Sequence, residues 1–174
     1  MKPLFWVIVL GVASATVVAQ DEETARGAEL IAPFKQQLKL ALSEGLAGGP
    51  VAAIDICRLK APAIARGLSH DAIRMGRTSH RLRNPDNIAP DWVAPILDEW
   101  LRDSHPEPRT VAIGDDREGY VEPIQLQPMC VVCHGEFLAA DVSEAIAAAY
   151  PEDEATDFAV GDLRGAFWVE YPAE

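Results

Sequence analysis

From Leu30 onward, apolar residues recur at four-residue steps through Phe34, Leu38 and Leu42, with Ile31 and Leu46 widening the stripe. That period predicts an amphipathic helix over residues 21–46. Pro33 opens or kinks it, and Gly45 with Gly48-Gly49-Pro50 ends it. A second helix is expected over 51–66, where Ile54, Cys57, Ala61 and Ile64 fall at helical spacing and turn Cys57 inward. Pro62 should end or bend it. Asn84-Pro85-Asp86-Asn87 reads as a tight turn. Trp92, Val93, Ile96, Leu97, Trp100 and Leu101 share one face of a helix that Asp91 can cap and that ends near 104. The period then changes. Residues 110–113 and 120–126 read as strands around Gly114-Asp115-Asp116, with Pro123 confining the second to an edge or a bulge. Asp141-Val142-Ser143-Glu144 starts a helix that Pro151 stops, and 163–171 is a last strand rich in aromatic and β-branched residues.

The first 19 of the 174 residues have the form of a signal peptide. Lys2 supplies the positive end, Leu4 to Val12 the apolar run, and Val17-Val18-Ala19 the small residues before Gln20-Asp21. The run is short for a membrane span of about 20 residues. Cleavage is therefore expected, giving a periplasmic or secreted protein with no stable membrane insertion. Residues 20–174 then form a single domain large enough for its own core. Losing Lys2 moves the net charge from -12 to -13. A body this acidic argues against nucleic acid as a partner and favours a basic one.

Within that chain, Cys130-Val131-Val132-Cys133-His134 has the C-x-x-C-H spacing of a c-type haem attachment site. Each thiol adds to one porphyrin vinyl group, and the following imidazole lies where a ring nitrogen binds iron. The same spacing occurs in thioredoxin-like dithiols, but the surrounding pattern is not the βαβ unit they need. A zinc site would need a second ligand pair, and no other Cys/His pair has that spacing. One covalent haem c is the expected cofactor. Export and haem attachment support each other, because c-type haem is added outside the cytoplasm.

The motif uses two of three cysteines and leaves Cys57 over. An odd cysteine in an oxidising compartment suggests intermolecular pairing, a reactive thiol or metal ligation; a small buried hydrophobe is the plain alternative. His70, His80, His105, Met75, Met129 and Lys60 are the other side chains weighed as iron ligands or thiolate partners. From Arg58 to Arg83 the chain carries seven Lys/Arg against the single acid Asp71. Haem brings two propionates, and arginine binds carboxylates through a planar fork, so Arg77 and Arg83 are candidates to receive them.

Several of these stretches together resemble a family of small exported c-type haem domains, once catalogued as a domain of unknown function. The carriers are Ala53 to Cys57 with Ala61-Pro62, Arg77-Thr78-Ser79, Arg83-Asn84-Pro85, Cys130 to Gly135, Tyr150-Pro151, and Gly161 to Ala166. The resemblance covers most of residues 20–174. It implies an α+β, PAS-like fold: a central antiparallel sheet flanked by helices, preceded by a long N-terminal helix. It also implies iron held by the motif histidine and a distal cysteine, His134 and Cys57 here. Family members also occur as sensory modules ahead of bacterial signalling proteins.

Two functions follow as expectations. One is redox or gas sensing, in which a small gas or a change of iron oxidation state displaces a ligand and a separate signalling protein reads the change. The other is soluble periplasmic electron transfer to a redox partner. A thiolate ligand that can take up a proton and leave favours the first. Catalysis is not expected, since no acid/base pair or nucleophile constellation accompanies the motif.

Overall fold

A computed structural model describes residues 15–103 and 105–174. Most of the predicted signal peptide lies outside the described residues. The described chain runs α1 (Ala15–Ala47), α2 (Pro50–Leu68), β1 (Arg74–Thr78), α3 (Ala94–Trp100), β2 (Arg109–Ala112), β3 (Arg117–Gln125), α4 (Val131–His134), α5 (Ala140–Ala149) and β4 (Leu163–Pro172). The fold class is α+β: one antiparallel sheet in the order β1-β4-β3-β2, with helices on both faces and the long α1 first. Among the described residues, no helix is long and apolar enough to cross a membrane.

Helix α1 buries Ile31, Phe34, Leu38 and Ala41, the three-and-four spacing of a helix with one wet face. It lies over β3 at Gly27, where an added Cβ would fall 2.3 Å from the Cβ of Tyr120. Helix α2 folds back against it, close enough that a Cβ on Gly45 would come within 2.7 Å of the Ala53 backbone. Ile31, Phe34, Leu38, Ala61, Met75, Tyr120, Val169 and Tyr171 form the core between these helices and one face of the sheet. On the other face, Val93, Ile96, Leu97 and Trp100 pack on Val121 and Ala166. A third cluster, Ile54 with Val142, Ile146 and Tyr150, joins α2 to α5.

Two expectations need correction, one strand escapes the sequence pattern, and the expectation for Pro123 holds. Pro62 does not end α2, which runs on to Leu68. The helix predicted from Asp91 shortens to Ala94–Trp100, and its N-cap is Val93; Asp91 lies in a turn, while the apolar face forms as expected. Strand β1 was not foreseen, because Arg-Met-Gly-Arg-Thr alternates too weakly to announce itself. Pro123 sits in a strand with neighbours on both sides, yet β2 pairs only with residues 118–121. Beyond them β3 is locally an edge, so the missing N–H of Pro123 costs no ladder bond.

Candidate functional site

The cysteine motif follows β3 directly. A single 3-10 turn, Pro128–Cys130, leads into the one-turn helix α4. Cys130 and Cys133 stand three residues apart on successive turns. Cys130 packs toward Leu126, Ala155 and Phe158, and Cys133 toward the α2–α5 cluster. Gly135 ends the turn with its N–H on Val131 O at 2.9 Å, where a Cβ would fall 2.6 Å from that same oxygen.

Residues 153–158 close over the motif. Phe158 N donates to His134 O at 3.0 Å and Asp157 N to Gly135 O at 3.1 Å. The imidazole Nδ1 of His134 lies 2.7 Å from Ala155 O. A carbonyl can only accept, so Nδ1 carries the proton and Nε2 is left with its lone pair, the tautomer a metal ligand needs. Burial first, and the cations Arg164, Arg83 and Arg77 after it, pull the His134 pKa down to about 3, against the bond to Ala155. The ring is neutral at any ordinary pH.

Cys57 is half-buried on α2. Burial raises its thiol pKa, and Arg77 and Arg83 partly offset that. The same two guanidiniums act on His134, and Cys57 itself raises the pKa of Cys133 after burial has done so. The leftover cysteine and the motif therefore share one electrostatic neighbourhood, although 73 residues separate Cys57 from Cys130. Tyr150 belongs to it too, its phenol pKa raised by burial and then by Cys57.

The basic segment divides. Arg58, Lys60, Arg74, Arg81 and Arg83 pair with Asp55, Glu44, Glu170, Asp157 and Asp153. Lys60 is thus occupied at the surface. Arg83 is a clamp: Nε and Nη2 reach the two oxygens of Asp153 at 2.9 and 3.1 Å, and Nη2 also reaches Cys133 O at 2.6 Å and Ala155 O at 3.1 Å. Arg77 is half-buried with no hydrogen bond or ion pair among the described residues.

Of the other candidate ligands, Met75 is core and Met129 is exposed. His70 pairs with Asp71 at the surface, and His105 is exposed. His80 comes nearer. Its ring meets Phe158 edge-on at 5.7 Å, as that of His134 does at 6.5 Å, and its Nδ1 is buried without a partner. Phe158, Asp153, Ala155, Tyr150 and Arg164 were not legible as site residues. Tyr150 and Arg164 lay inside the quoted family stretches, and that was the only signal for them.

Two clefts of about 460 and 380 Å³ open on the outer side of α2. The larger is lined by Arg58, Pro62, Arg66 and Tyr150, the smaller by Ile54 and the alanines of α5. Neither includes Cys57 or His134 in its wall.

The donor set suits one kind of group. Among the described residues no cluster of three or more His, Cys, Asp or Glu could hold a bare metal ion. His134 Nε2 and Cys57 Sγ could serve as the protein's ligands to a haem iron, whose remaining donors the porphyrin would supply. The paired thiols beside them are free to form the covalent links.

A family model described as Tll0287-like matches residues 12–172. A solved structure, that of the cyanobacterial heme-protein Tll0287, superposes with a TM-score of 0.62 at 24% identity, covering 87% of this chain and 95% of that one. No curated protein matches.

Proposed function

The chain belongs to the Tll0287-like family, and from that premise we propose that it is an exported protein carrying one covalently attached haem c between His134 and Cys57. The observation that carries the reading is the fixed tautomer of His134, whose Nδ1–H is spent on Ala155 O at 2.7 Å directly after a C-x-x-C pair. A structural relative described as a heme-protein supports it, as does the two-donor set. Haem would supply one-electron chemistry at its iron. The chain's own part is to present Nε2, hold Cys130 and Cys133 on one turn, and offer the Cys57 sulfur from α2. A PAS-like reading of the sheet and its helices belongs to the same proposal.

Sensing is the role favoured for this site, with a separate signalling protein as partner. Burial makes the thiol the comfortable form of Cys57, so a sulfur released from iron finds a proton easy to keep. The sulfur is carried by α2, which packs on both α1 and α5, so strain released at the iron would have a path into both helices. Electron transfer is the second reading, favoured by the exposure of Met129 and Val132 on the motif, which leaves this turn at the surface for a redox partner.

The test has two stages. Acid-acetone extraction should leave the colour with the protein; haem that extracts freely overturns covalent attachment. Cys57→Ser should then remove a low-spin thiolate signal from the ferric electron paramagnetic resonance spectrum, raise the reduction potential and open the iron to carbon monoxide. Spectra matching the parent would exclude Cys57, leaving His80 as the next side chain to replace. Retention of the Cys57 bond on reduction would favour the carrier over the sensor.

A further inference from the structure

Two half-buried arginines near His134 keep donors that no described residue accepts. Arg164 starts β4. Its Nη1 donates to Ser79 Oγ at 2.6 Å and to Arg81 O at 3.2 Å, and its guanidinium lies 5.2 Å from the Phe158 ring centroid. Its Nε is buried without any partner among the described residues. Ser79 returns a bond from Oγ to Arg164 O at 2.7 Å. The placement is forced from both sides, because next to it a Cβ on Gly165 would fall 2.0 Å from Thr78 O. Only a glycine there lets β4 press this closely on the end of β1.

Arg77 stands two residues before Ser79 on that same strand, opposite Phe167 of β4. Phe167 packs against the core beneath α1 and α2, so Arg77 points to the helix side of the sheet. There it is half-buried and unpaired among the described residues. With Arg83 these make three guanidiniums, and Asp153, a carboxylate beside them, is held by Arg83. Two positive charges are left over. A protein keeps such charges out of water only where an opposite charge meets them.

We propose that Arg77 and Arg164 form a receptor for two carboxylates, the propionates of the haem held at Cys130 and Cys133, while Arg83 serves as the clamp of the attachment turn. The inference rests on the haem reading above and goes beyond it in adding Arg164 and in dividing the labour among the three arginines. Arg164 is also the foremost charge acting on His134, and Phe158, beneath its guanidinium, is bonded through its own N–H to His134 O. A cation in that position favours the more electron-rich state of the site.

The test compares reduction potentials of the haem-loaded parent with Arg164→Gln, Arg164→Lys and Arg77→Gln, each titrated with and without inorganic phosphate at constant ionic strength. Arg164→Gln should lower the ratio of reduced to oxidised protein at a fixed poise about tenfold, which is 59 mV for one electron. Arg164→Lys should recover part of the loss, because charge returns without the planar fork. Arg77→Gln should shift the ratio in the same direction. Covalently loaded Arg164→Gln protein with the parent's potential overturns the proposal. So does a parent potential that moves with phosphate, since the occupant would then be a free anion. A parent with no covalent haem overturns the haem reading itself, a result distinct from either.

Discussion

At the scale of single residues, arginines close together in sequence do different work. Arg83 is 13% exposed at its side chain and Asp153 8%, and the same guanidinium bonds the carbonyls of Cys133 and Ala155. Arg83→Ala removes the cation paired with Asp153, leaving that buried carboxylate with the Ala155 N–H alone and taking a donor from the Cys133 and Ala155 carbonyls, a loss of about 3–5 kcal/mol. In the haem-free protein Arg77→Ala deletes a charge that no described residue pairs with, and stability there should hold or rise, whereas loss of Arg83 costs stability with or without haem. Urea unfolding of the two variants would separate them, and equal losses would contradict the division. The sequence could not tell these arginines apart. It showed a basic segment needing counter-charges, while the partners of Arg83 lie 50 to 72 residues on, beyond the reach of any local pattern. Cys57 was legible for the opposite reason: parity in the cysteine count is a property of the whole chain and needs no contact map.

At the scale of elements, the helices were legible where one face is buried and obscure where packing overrides propensity. The stripe through Phe34 and Leu38 marked α1 because a half-buried helix must repeat at 3.6. Pro62 misled, since α2 is held on two sides, by α1 and α5, and that packing outweighs one missing helix bond. Strand β1 hid because its neighbours make it a strand: it pairs with β4 from Arg74↔Glu170 to Thr78↔Ala166, almost a hundred residues away. Glycines report the same packing. Gly27→Ala puts a methyl group into Tyr120, 2.3 Å from its Cβ and Cγ, and should destabilise by about 1–3 kcal/mol. Gly67 lies in α2 with nothing within 4 Å of an added Cβ. Gly67→Ala should therefore stabilise by about 0.5–1 kcal/mol. Thermal melts of the pair should move in opposite directions; a shared direction would mean that the seat of α1 on the sheet is looser than drawn here.

At the scale of the whole molecule, the sheet buries phenols as well as apolar side chains. Tyr171 is fully buried, and burial pushes its pKa up to about 12; Tyr120 is raised as well, by burial and then by Glu122. In the unfolded chain both phenols lose their protons near pH 10. Between pH 10 and 12 the folded protein holds more protons than the unfolded one, so stability falls as pH rises. The denaturant midpoint should be flat approaching pH 10 and decline above it. Tyr171→Phe should lower stability at neutral pH but flatten the alkaline decline; an unaltered slope would remove Tyr171 as its source.

The position of β4 also sets an order of events. It is the last strand in chain order, yet it lies between β1 and β3, so nothing joins the two halves of the sheet until it arrives. Cys130 and His134 precede it, and the segment that covers them, from Asp153 to Phe158, leads straight into it. A nascent chain therefore exposes Cys130 and Cys133 while its fold is still open on that side. If haem is attached there, as proposed above, the attaching machinery would meet those thiols before the sheet closes beside them.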